Sequence, residues 1–93
     1  MRTKDAWIDE LVGDFDQRWN DERALVTRRT RGAPRRVREE VGQALEAARR
    51  IAERRLRRWA GEHDVGEPAA EILDDVVEDA LTRVTGDDKG EEE

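Results

Sequence analysis

The chain has 93 residues, enough to enclose one hydrophobic core and too few for two. Charged side chains make up 45% of it and hydrophobic ones 35%, and the formal net charge is −6, so the core is thin and the surface heavily ionised. With no cysteine, no serine and one histidine, disulfides, thiolate metal sites, serine or cysteine nucleophiles and multi-histidine centres within one chain are excluded.

No apolar run approaches the roughly 18 residues needed to cross a bilayer, and the start has no signal-peptide core. The expected location is the cytoplasm, with no membrane partner. Charge is strongly segregated. Residues 1–22 carry a net −4, residues 23–58 a net +9 and residues 59–93 a net −11. Blocks of opposite sign on a short chain attract one another, so internal neutralisation is the first expectation and a basic middle kept for a polyanion the second.

The pattern predicts an all-α, three-helix bundle-like domain over residues 1–85. The first helix is expected at about 5–28. Trp7, Ile8, Leu11, Val12, Phe15, Trp19 and Val26 recur at three- and four-residue steps, which places them on one stripe. Thr3 or Asp5 suits its N-cap, and Asp9 and Glu10 follow near the positive end of the helix dipole. Asn20 and Asp21 mark a candidate break, after which Ala24–Thr30 has an extended alternative.

Thr30-Arg31-Gly32-Ala33-Pro34 is the first boundary, with proline suited to an opening helical turn. From about 34 to 60 the chain reads as one long central helix. Val37, Val41, Ala44, Leu45, Ala48, Ile51, Ala52, Leu56 and Trp59 are expected to form its buried stripe. Four pairs of opposite charge at four-residue spacing, Arg35–Glu39, Arg36–Glu40, Glu46–Arg50 and Glu53–Arg57, support it at about 0.2–0.5 kcal/mol each. Arg55 falls inside the apolar arc and must reach water or a carboxylate of helix 1 or 3. Gly61 is expected to end the helix in the left-handed conformation.

A third helix is expected at about 68–84, opening at Pro68, with Ala69, Ala70, Leu73, Val76, Val77, Ala80, Leu81 and Val84 on one side and Ile72 on its flank. Its other side carries Glu71, Asp74, Asp75, Glu78 and Asp79. Residues 86–93, rich in acids and without apolar side chains, read as a disordered tail.

A thin core and a central helix longer than the third helix predict self-association as a homodimer or higher oligomer. Val41, Leu45, Ala48, Ala52, Leu56 and Trp59 are the expected core or oligomer interface. Arg28, Arg29, Arg31, Arg35, Arg36 and Arg38, six guanidinium groups within eleven residues around Gly32, are the candidate polyanion contact. A second group, Arg49, Arg50, Arg54, Arg55, Arg57 and Arg58, lies toward the C-terminal end of the same helix, where the dipole favours cations.

The acids of helix 3 are a candidate partner-binding face. The turn across Trp59–Leu73 has the spacing of a helix-turn-helix, but its second helix is acidic and repels phosphates. His63 with Glu62 and Asp64 is read as an exposed turn and not a metal site. Without a phosphate loop, a cofactor motif or a catalytic constellation, the expectation is no enzyme, no metal and no cofactor. The expected function is a non-catalytic protein-interaction module, a regulator or adaptor. The alternative is a nucleic-acid-associated protein acting through Arg28–Arg38.

Overall fold

A computed structural model describes residues 3–85, which form three helices: α1 (Lys4–Arg29), α2 (Arg35–Gly61) and α3 (Ala70–Thr85). No strand occurs among the described residues. The all-α, three-helix architecture with a long central helix is the one that the periodicity predicts. The proposed acidic tail, 86–93, lies outside the described residues.

Helix α1 starts where its chemistry places it. The Thr3 hydroxyl accepts from the Ala6 N–H at 3.1 Å, satisfying one of the unpaired donors of the first turn. Trp7, Leu11, Phe15 and Trp19, four residues apart, are buried in succession. As the expected helix over 5–28 requires, the alternative break at Asn20–Asp21 does not occur, and α1 continues unbroken to Arg29. Val26 is 7% exposed and anchors this last stretch to the core. Burial of that side chain outweighs the weak helix preference of Asn20 and Asp21.

Helix α2 presents Leu45, Ala48, Ala52, Leu56 and Ala60 to the core. The three alanines leave little side chain between α2 and its neighbours, so backbones approach closely while helix preference stays high. Helix α3 packs chiefly on α2, and α1 touches both. It buries Leu73, Val76, Val77 and Ala80. With 27 residues, α2 is about 40 Å long, against about 24 Å for the 16 residues of α3. The opening of α2, from Arg35 to Glu40, is exposed throughout.

Helices α1 and α2 form an antiparallel hairpin. At its closed end is the turn Thr30–Pro34, where the Ala33 N–H donates to the Thr30 carbonyl at 2.9 Å. At its open end Lys4 Nζ donates to the His63 carbonyl, and the rings of Trp7 and Trp59 lie 6.1 Å apart. Midway, Arg49 donates to Asp16 at 2.6 Å.

Two expectations about the second turn are corrected. Gly61 is the last helical residue and does not adopt a left-handed conformation; Glu62 follows it with φ −95°. The left-handed position is Gly66, φ +91°, inside the turn. Here the Asp64 N–H donates to Glu67 Oε2 at 2.7 Å, closing the loop with a side chain. Helix α3 then begins at Ala70, two residues later than its proline suggests, with Leu73 N–H bonded to the Ala69 carbonyl at 3.0 Å.

Candidate functional site

The closed end of the hairpin gathers the arginines. Residues 23–38 contain seven arginines and no acid. Arg28 and Arg29 end α1, Arg31 lies in the turn, and Arg35, Arg36 and Arg38 open α2, all six exposed. Arg35 pairs with Glu39 at 3.3 Å and Arg36 with Glu40 at 3.8 Å. Arg28, Arg29, Arg31 and Arg38 meet no acid among the described residues.

The two helix ends contribute differently. Cations in the last turn of α1 complement the partial negative charge there. At the start of α2 the sign is wrong: its first turn holds no acid, and the N-cap position is Pro34, which has no side-chain acceptor. Arginines are therefore stacked on unsatisfied N–H donors and the positive end of a helix dipole. Every local term at this end favours an anion from outside. No aromatic ring accompanies them, since Trp7, Phe15 and Trp19 are buried and Trp59 lies at the opposite end of α2.

The second arginine group is divided by the fold. Arg49 meets Asp16 of α1 and, at 3.2 Å, Glu53; Arg57 meets Glu53 at 3.0 Å; and Arg55 meets Asp79 of α3 at 3.8 Å. Arg55 is half exposed, so it reaches both water and its α3 carboxylate. Arg50, Arg54 and Arg58 remain exposed with no acid among the described residues. The expected Glu46–Arg50 pair is not formed.

The acids of α3 divide in the same way. Asp74 pairs with Arg18 of α1, and Asp79 with Arg55 and with Arg83 at 3.1 Å. Glu71, Asp75 and Glu78 are exposed without a cationic partner among the described residues.

The apolar stripe of α2 lies within the single chain. Leu45, Ala48, Ala52 and Leu56 are between 1% and 4% exposed, and Val41 and Trp59 pack half-buried on the same core. They form the core side of the expected core-or-oligomer interface. Val37 and Ile51, expected in the same buried stripe, are instead exposed, Val37 because it lies in the opening turn of α2 beyond the core and Ile51 because it stands at the margin of the inner face.

His63 is not the free turn residue that its acidic neighbours suggest. It stacks on Trp59 at 4.1 Å between ring centres, and its Nδ1–H donates to the Trp59 carbonyl at 2.7 Å. The i, i+4 spacing of the two rings across a helix end is the signal that the sequence offered for this contact. Among the described residues no cluster of three or more potential metal ligands is found, and no helix is long and apolar enough to cross a membrane.

These features define a three-helix protein with a cationic hairpin end and an anionic third helix. No protein-family model matches the chain, and neither the curated proteins nor the solved structures contain a significant match to it.

Proposed function

We propose that this chain is a small non-catalytic interaction module of the cytoplasm, a regulator or adaptor whose working surface is the arginine-rich hairpin end. The observation that carries the reading is the placement of Arg28, Arg29, Arg31 and Arg38. They are exposed, lack an acid among the described residues, and surround a helix start that itself favours anions. Such an end recognises clustered carboxylates on a protein partner through charge-assisted, two-pronged guanidinium contacts. A protein partner is favoured over a nucleic acid because α3 and the turn before it are acidic. Residues 59–82 hold eight acids and no lysine or arginine, which repels a long phosphate polymer lying along α3.

The second reading, nucleic-acid association, rests on the same unpaired arginines, which fit phosphate as well as carboxylate. A photoreactive residue at Gly32 separates the two. A Cβ added at Gly32 meets nothing within 4 Å, so a substitution there clashes with no neighbour at its first carbon and samples what sits on the end. Cross-linking in cells is expected to give a defined protein adduct that disappears when Arg28, Arg31 and Arg38 become alanine. Adducts to nucleic acid alone establish the second reading. An adduct pattern unchanged by the three substitutions removes the arginine end as the working surface.

A further inference from the structure

The opposite end of α2 carries a feature that the first end complements. A shallow groove of about 380 Å³ lies between the C-terminal end of α2 and the start of α3. Trp59, Pro68 and Ile72 line it with apolar surface, and Glu71 and Asp75 stand at its edge. Both acids are exposed and meet no cation among the described residues, whereas Asp74 and Asp79 of the same helix are paired. The indole is held in place on two sides, by the tilted ring of Trp7 and by the stacked imidazole of His63. A fixed aromatic surface beside two free carboxylates is suited to a guanidinium. The apolar stem of an arginine packs on the aromatic and aliphatic lining while its N–H donors reach the carboxylates.

We infer that this groove receives the arginine end of a second copy of the chain, so that molecules associate head to tail. The argument is charge complementarity between two surfaces whose groups lack partners. The arginines of the hairpin end and the acids of the groove are set at opposite ends of one rigid helix, with Arg35 and Trp59 about 36 Å apart along α2. At that distance, far beyond the screening length in physiological salt, the two ends cannot neutralise one another within a chain. Between chains they can. The contact joins two different surfaces and so leaves a free end of each kind after every addition, which builds an open row unless the rotation between copies closes a ring.

The inference rests on the reading of the arginine end as a binding surface and names one partner for it. It also relocates the expected self-association, from the apolar stripe of α2 to the two ends of that helix.

The test uses two variants of the full chain, each checked for native helicity by circular dichroism. One carries Arg28→Ala, Arg31→Ala and Arg38→Ala; the other carries Glu71→Gln and Asp75→Asn. None of these side chains is buried, so the fold is left intact. In sedimentation velocity at low salt, the wild-type chain is expected to grow in size with concentration, and to lose about tenfold in apparent affinity at high salt. Each variant alone is expected to be monomeric. Mixed, they are expected to form a 1:1 complex that grows no further, because the mixture contains one intact end and one intact groove on different molecules. A wild-type chain that stays monomeric at every concentration overturns the inference, as does a variant that still associates alone or a mixture that does not pair. Cross-linking from Gly32 to a different protein, unaffected by Glu71→Gln and Asp75→Asn, leaves the arginine-end reading standing while this inference falls.

Discussion

Individual side chains matter unusually in this molecule because so few of them are apolar. Phe15 is fully buried and flanked by the Trp19 ring at 6.2 Å. Phe15→Ala is expected to cost about 3–5 kcal/mol, a large share of the roughly 5–15 kcal/mol that holds a domain folded. Urea denaturation followed by circular dichroism measures it. Ala52, 3% exposed on the core face of α2, is the reverse case. Ala52→Leu is expected to lose about 1–3 kcal/mol in the same assay by forcing the packed helices apart. The glycines give a sharper contrast. A methyl group at Gly61 meets nothing within 4 Å in a helical conformation, so Gly61→Ala is expected to stabilise by about 0.5–1 kcal/mol. Gly66 also has open space around it, but its φ of +91° strains any other side chain, and Gly66→Ala is expected to lose about 1 kcal/mol or more. The pattern points to Gly61, and the chain turns at Gly66. Gly66 is third in the turn Asp64–Glu67, closed by the Glu67 N–H to the Asp64 carbonyl at 3.1 Å, and that is the turn position that takes a positive φ.

At the level of the elements, α2 is the most legible and its first turn the least conventional. The apolar spacing from Val41 to Trp59 identifies the inner face apart from Ile51, which stands exposed at its margin, and the alanines mark where neighbours come close. The pairing of its charges was legible only in part. Arg35–Glu39, Arg36–Glu40 and Glu53–Arg57 follow from spacing within one helix. Arg49–Asp16, Arg55–Asp79 and Arg18–Asp74 depend on how helices are set against each other, which spacing does not encode. The first turn of α2 places arginines where acids are ordinarily favoured. A charge reversal here is expected to improve the helix while harming the surface. Arg38→Glu gains with the helix dipole and with Arg35 three residues earlier, for about 0.3–1 kcal/mol. Thermal unfolding is expected to move upward while cross-linking from Gly32 falls. An unchanged or lowered melting temperature contradicts the account of that turn.

For the whole molecule, the three-helix plan and its central helix were readable because the apolar period is regular and the two prolines stand near the helix starts. The length of α1 was legible in the period running from Trp7 to Val26; whether Asn20 and Asp21 interrupt it was not, since that depends on Val26 finding a place in the core. The arginine cluster was visible as a run of letters. Its isolation from acids was not, because the same sequence holds enough carboxylates to neutralise it if the fold brought them near. The fold takes Asp16, Asp74 and Asp79 to other arginines. The groove beside Trp59 was hidden for a similar reason, being assembled from two helices and the turn between them.

The separation of the seven arginines of residues 23–38 from the acids of residues 59–82 has one more physical result. A body charged this way carries a permanent electric moment roughly parallel to its longest helix. Within a screening length of an ionised layer it experiences a torque that favours one tip facing the layer over lying flat.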